Sequence, residues 1–291
     1  MTAPGVTHRR GALVLVATPI GNLGDLSERA VAELRDADVV AAEDTRRTRG
    51  LLTHLGLSGA GRLRAVHGHN ERNEARHVAE LVAAGKRVVY VSDAGTPGIA
   101  DPGERLVHAC IAAGLPVEVV PGPSAALAAL VLSGLPTSRF RFEGFLPRKG
   151  TARAERLAEI ADADSTVVLY ESPHRVVATL SDLRDALGPD RAVAVARELT
   201  KMFEEVVRGS LGDVAERVGA ASEARGEHVI VVGPAARNDH VDDDTLVRAV
   251  GDAMGNGASA RDAATTVARD LGVPRRRAYD MALRVRATAR N

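Results

Sequence analysis

Three stretches of the chain carry more glycine, proline and carboxylate than a plain turn needs. They are TPIGNLGD after an apolar run at 12–18, SDAGTPGIADPG after a run at 87–92, and PGPSAA after a run at 117–120. Glycine lets backbone approach a ligand closely, and the free N–H groups at the start of a following helix attract negative charge. In the first stretch Pro19, Gly21 and Gly24 would do this, just before a helix that starts at 25–27. Other chemistry has weaker support. Ser124 is not in a GxSxG elbow, and no histidine or aspartate has the spacing of a triad partner. His54, His67, His69 and His77 crowd together in sequence without the spacing of a metal set, so no metal is expected. The GxGxxG, GxxxxGK[ST] and HExxH patterns are missing, and with them the usual signatures of dinucleotide, P-loop and zincin sites.

The elements that must position these loops follow from periodicity. Short β-branched runs at 12–18, 37–42, 64–67, 87–92 and 117–120 alternate with helical patterns at 26–35, 72–84, 103–113 and 124–133. The runs lack inside/outside alternation, which predicts a mostly parallel sheet with helices on both faces. Such sheets bind ligands at the carboxyl ends of their strands. All five loops at that edge, including EDTRRTRG and HGHNERN, are polar or rich in Gly and Pro, whereas RDAD, AAGKR and AAGLP opposite are ordinary turns. Within the fourth loop, Asp101 reads as a helix N-cap with Pro102 at the first helical position.

At 133–150 the character changes, and SGLPTSRFRFEGFLPRKG reads as a linker. Beyond it, STVVLYESPHR, AVAVARELT, EEVVRGS and HVIVVG with fewer helices predict a mixed α/β second domain. From 239 onward only helical patterns occur. SARDAATTVARDLGVPRRRAYDMALRV reads as helix, turn at Gly272 and Pro274, then helix, with eight arginines against three aspartates from 261 to 291. That is a helix-turn-helix pattern with a basic second helix. The expected domains are 1–134, 135–236 and 237–291.

Composition bounds the partners. Of 291 residues 45% are hydrophobic and 26% charged, as in a globular protein. Lys plus Arg and Asp plus Glu are 38 each, so any nucleic-acid surface must be local. The one cysteine, Cys110, excludes a disulfide within the chain and suits a reducing compartment. ALVLVA is too short for a signal segment and AALAALVLSGL too short to span a bilayer, so a soluble cytoplasmic protein is expected.

LVLVATPIGNLGDLSERA, AAEDTRRTRGLL, HNE, VSDAGTPGIADPG, VVPGPSAALAAL, FEGFLPRKG, LYESPHRV and VARELTKMFEEVVRGSL occur in order from about residue 13 to 233. Together they resemble the small-subunit ribosomal RNA cytidine 2′-O-methyltransferases of the tetrapyrrole methylase superfamily. The resemblance implies two α/β domains with S-adenosylmethionine in the cleft between them, a helical C-terminal extension and a homodimer. It implies that Pro19, Gly21, Asp93, Ala94, Gly95, Thr96, Pro97, Ile99, Ser124 and Ala125 line the cofactor, with Tyr170 and Leu199 of the second domain on its adenine side. A ribose 2′-OH is a poor nucleophile near neutral pH, so a base or cations are needed. Asp44, Glu198 and Lys201 are the candidates carried forward from a set that includes Glu43, Glu71, Glu171 and His174. Arg46, Arg47, Arg148, Lys149 and Arg175 would meet RNA phosphates. The alternatives are a tetrapyrrole C-methyltransferase and a non-catalytic RNA-binding assembly protein.

Overall fold

The computed structural model describes residues 11–220, 226–235 and 241–288. Arg290 of the basic tail, and residues 237–240 where the extension was expected to begin, lie outside them.

The first sheet is built from β1 (Ala12–Val16), β2 (Val39–Ala42), β3 (Leu63–Ala65), β4 (Arg87–Val91) and β5 (Val117–Val120), in the order β3-β2-β4-β1-β5 with every pairing parallel. Between and after them run α1 (Glu28–Asp36), α2 (Thr45–His54), α3 (Glu71–Ala83), α4 (Glu104–Ala112) and α5 (Ala125–Ser133). Alternation along each strand explains why the runs are apolar throughout. Ala12, Val14, Val16, Val40 and Val89 pack with Ala30 and Leu34 of α1 and Leu52 of α2. Leu13, Leu15, Val88 and Tyr90 pack on the other face with Val78 and Val82 of α3 and Leu106 and Cys110 of α4. Both faces of the central strands β1 and β4 are buried, and each buried aliphatic side chain contributes about 1.5–3 kcal/mol.

Two local expectations are corrected. EDTRRTRG is not a loop: Asp44 caps α2, which starts at Thr45. Asp101 does not cap α4. That helix begins at Glu104 behind Gly103, whose φ of +138° and 3.1 Å approach of an added Cβ to the Gly98 nitrogen leave room for glycine only. Its cap comes from elsewhere in the chain. Glu71, at the start of α3, accepts from the N–H groups of Gly103 (2.7 Å) and Arg105 (3.0 Å).

The second sheet comprises β6 (Phe140–Phe145), β7 (Thr166–Glu171), β8 (Ala192–Arg197), β9 (Glu205–Ser210) and β10 (His228–Val232) in the order β6-β7-β10-β8-β9. β6 is parallel to β7 and β10 is antiparallel to it, so the sheet is mixed. The stretch read as a linker therefore contributes an edge strand, bulged between Phe142 and Gly144, where Gly144 adopts φ +60°. Ile160, Leu180 and Leu211, from α6 (Thr151–Ala161), α7 (Val176–Leu187) and α8 (Leu211–Ala220), pack with Val167, Leu169, Val195 and Ile230 of this sheet. The tail forms α9 (Asp243–Gly255), α10 (Ala260–Leu271) and α11 (Arg275–Thr288) around its own core of Leu246, Val250, Val267, Ala278 and Met281. Gly272 ends α10 in the left-handed conformation, with φ +64°.

Two compact units result. Of the described residues, one unit holds those up to Ala129 together with Arg197–Glu205, and the other holds Leu130–Ala196 and those from Val206 onward. No helix among the described residues is long and apolar enough to cross a membrane.

At the amino edge of the first sheet, Arg87 is buried and forks onto Glu33 at 2.7 and 2.9 Å, with Glu118 at 2.6 Å. Glu33 is itself only 4% exposed. Arg87→Met is expected to remove the buried fork onto Glu33 and its bond to Glu118, and to cost about 3–5 kcal/mol. The loss should appear as a lower urea midpoint at unchanged slope.

Candidate functional site

In the first unit the loops after β1 and β4 are laced by backbone. Thr18 donates its N–H to the Gly95 carbonyl (2.9 Å), and the Gly95 N–H returns to the Thr18 carbonyl (3.0 Å). Gly95 holds φ +80° to do so. Thr18 Oγ1 also donates to the Ser92 carbonyl (3.3 Å), and Thr96 Oγ1 to the Pro123 carbonyl (3.4 Å), which ties in the loop after β5. In that third loop Ser124 Oγ accepts from the Leu127 N–H (3.5 Å), and Ala125 opens α5. Ala94 is half-buried, Pro97 is buried, and Ile99 is exposed.

The ends of β2 and β4 hold one another through carboxylates. Asp93 donates its N–H to Glu43 Oε2 (3.2 Å), while Asp93 Oδ1 accepts from the Asp44 N–H (3.1 Å). Burial pushes the Glu43 carboxyl above its ordinary range, against the opposing pull of the Asp93 N–H. Asp44 is the reverse case. It accepts from the Arg46 guanidinium at 3.3 and 3.0 Å and from the Arg46 N–H at 2.8 Å, and these bonds bring its pKa to about 2. A carboxylate held that low accepts protons poorly near neutral pH. Arg47 Nε lies 3.5 Å from Asp93. A cavity of about 230 Å³ is lined by Thr18, Pro19, Ser92 and Asp93 of the loops and by Arg47 and His54 of α2.

The segment between β8 and β9 belongs to this unit and packs on the first loop. A Cβ added to Gly21 would lie 2.5 Å from Lys201 Cγ, 2.9 Å from Thr200 Oγ1 and 3.0 Å from the Leu199 carbonyl, so only glycine fits. Glu198 and Thr200 take φ +51° and +66°, conformations that cost about 1–3 kcal/mol each and gather at functional sites. Lys201 Nζ is 2.9 Å from Glu198 Oε1. Thr200 Oγ1 is buried and has no hydrogen-bond partner among the described residues.

The expected residues thus divide. Pro19, Gly21, Asp44, Arg46, Arg47, the 93–99 loop, Ser124, Ala125, Glu198, Leu199 and Lys201 lie in the first unit; Leu199 was expected from the second domain. Tyr170, Arg148, Lys149 and Arg175 lie in the second unit. There Tyr170 meets Phe142 edge-on with ring centroids 4.9 Å apart, and Arg148 and Lys149 are exposed ahead of α6. Arg175 donates to the Leu146 carbonyl (3.0 Å) and pairs with Glu171 (3.4 Å), whose carboxylate also accepts from Ser172 and Thr179. Thr18, Ser92, His54 and Thr200 were missed. Thr18 and Ser92 were read as strand ends, though a hydroxyl beside a Gly/Pro loop at the carboxyl edge was a usable signal.

The profile of Tetrapyrrole (Corrin/Porphyrin) Methylases matches residues 12–215. The chain belongs to that family. It is 48% identical over 280 residues to a "Ribosomal RNA small subunit methyltransferase I" of Mycobacterium bovis, covering 95% of this chain and 96% of the relative. A protein of the same name from Xylella fastidiosa is 48% identical over 240 residues, 82% of this chain and 85% of that one. Among solved structures, uroporphyrin-III C-methyltransferase from Thermus thermophilus, complexed with S-adenyl homocysteine, superposes with TM-score 0.53. It is 26% identical and covers 76% of this chain and 96% of that one.

The Asp44 cap has a defined pH signature. Its folded pKa of about 2 lies below the ordinary 3.8, so its stabilisation is whole above the higher value and fades as pH falls through the lower. Asp44→Asn is expected to be less stable than the parent at neutral pH. The gap should close on acidification toward pH 2 in denaturant titrations.

Proposed function

We propose that the chain is an S-adenosylmethionine-dependent methyltransferase acting on the ribose 2′-OH of a cytidine in 16S ribosomal RNA of the small subunit, working as a cytoplasmic homodimer. The carrying observation is the near end-to-end likeness to relatives named ribosomal RNA small subunit methyltransferase I. Those relatives leave the tetrapyrrole C-methyltransferase alternative unfavoured.

The residues present fit the cofactor. The orphaned Thr200 hydroxyl beside Gly21 is a buried polar group awaiting a partner, of the kind a polar ligand atom satisfies. Pro19, Gly21 and the backbone from Asp93 to Ile99 would hold the methionyl part, and Ser124, Ala125 and Leu199 the nucleoside part. When bound, S-adenosylmethionine supplies an electrophilic methyl group on a sulfonium sulfur. The chain's own task is then to align the acceptor oxygen and take its proton. In this reading Glu198 receives the proton, and Lys201, paired with it at 2.9 Å, stabilises the charge that develops on the oxygen. Asp44 serves chiefly to orient Arg46. Arg46, Arg47, Arg148, Lys149, Arg175 and the arginines of α11 neutralise phosphates, so RNA affinity falls steeply with salt.

Purified protein given labelled cofactor and small-subunit particles from cells lacking the enzyme is expected to place label on a cytidine 2′-O of 16S RNA. An absence of label there would sink the reading. Lys201→Met is expected to lower kcat by about 10²–10⁴-fold at unchanged cofactor affinity. Gly21→Ala should instead weaken cofactor binding measured by calorimetry, because the added methyl displaces the 199–201 backbone.

A further inference from the structure

The β8–β9 loop presents two apolar side chains that methyl transfer does not require. Met202 is 89% exposed and Phe203 74%, the most open large hydrophobic side chains among the described residues. The chain has four phenylalanines, three tyrosines and no tryptophan, and Phe203 is the most exposed of these rings among the described residues. The loop is not loose. Turn bonds run from the Lys201 N–H to the Glu198 carbonyl (3.0 Å) and from the Glu204 N–H to the Lys201 carbonyl (3.1 Å). Glu204 also accepts from the Thr200 N–H (2.6 Å), and Glu205 pairs with Arg197 (2.7 Å). The two strained residues and the contact with Gly21 fix its base. Lys201 and Arg197 each have a carboxylate partner within the loop, so its charges are largely self-paired and the tip is apolar.

We propose that Phe203, flanked by Met202, is the platform on which an unstacked base of the substrate RNA rests beside the ribose to be methylated. This deepens the proposed function and rests on it. Three observations favour a base as the occupant. The loop packs directly on the Gly21 loop, so whatever covers its tip is bound next to the cofactor residues. Two side chains are far too small a patch for a stable protein interface, which takes about 800 Å² from each partner. A single ring on a rigid support suits a nucleobase, since RNA that is read out of its helix is held by stacking on aromatic side chains. A 2′-OH also becomes accessible to a folded active site once its nucleotide leaves the helical stack.

Such stacking predicts that Phe203→Ala raises the dissociation constant for protein-free 16S RNA by about 5- to 100-fold, with cofactor affinity unchanged. Ile111→Ala, which removes another exposed apolar side chain (63%), should leave both affinities unchanged. Phe203→Trp retains an aromatic face at the tip and adds the chain's sole indole. Its emission is expected to be quenched saturably by 16S RNA and by a short oligocytidylate. Unchanged RNA affinity in Phe203→Ala, or an indole indifferent to RNA, would overturn the proposal. So would an indole that responds only to protein concentration, since a second copy would then cover the loop. If the parent protein methylates no RNA yet the indole is still quenched by it, the stacking surface stands and the methyltransferase reading falls.

Discussion

Everything at the functional edge depends on the pair of backbone hydrogen bonds between Thr18 and Gly95. A parallel sheet delivers its loops to one edge but does not connect them, because each loop leaves its strand toward a different helix. The Thr18–Gly95 exchange turns two independent loops into one short antiparallel ladder lying across the carboxyl ends of β1 and β4. Main-chain bonds of this kind do not depend on side-chain identity, which frees the side chains of both loops for ligand. They do demand a residue that tolerates φ +80°, and Gly95 is that residue. The Glu43–Asp93 latch then adds β2 to the same frame and the Thr96–Pro123 bond adds β5, so four of the five strands end in a shared hydrogen-bonded network.

On that frame the protein spends conformational strain. Glu198 and Thr200 stand in left-handed conformations without being glycine, and Thr200 lies against Gly21, which must be glycine. Strained residues persist only where their surroundings over-determine them. Here the surroundings are the Gly21 loop below and the loop's own ion pairs above. The result is a segment whose lysine, glutamate and ring keep defined directions without a helix or strand to carry them.

Much of the first unit was legible in the sequence. All five strands and four of its five helices follow from apolar periodicity, because a sheet covered on both faces buries the apolar runs of its central strands on either side. α2 escaped because its inward face uses Thr48 beside Leu52, and threonine does not register as apolar. The signal that could have found it was Asp44 in the capping position. β6 escaped because a bulge at Gly144 breaks the alternation of Phe140, Phe142 and Phe145. The cap of α4 was unreadable in principle: Asp101 stands at a conventional position, while the side chain that does the capping comes from 32 residues upstream. Of the site, the Gly/Pro loops could be read from residue types. The packing of residues 199–201 on Gly21 could not, since nothing local relates positions 180 apart.

That distant cap has a consequence for how the chain can change. The bond from Glu71 to Gly103 closes a ring of chain that contains α3, β4 and the whole loop from Asp93 to Pro102. The loop's length is set at both ends, by the ladder to Thr18 and by the carboxylate of Glu71. An insertion here would have to break one of these closures, although surface loops usually absorb insertions easily. Length variation is therefore expected outside that ring, as in the AAGLP turn at the amino edge of the sheet, which is tied to neither closure.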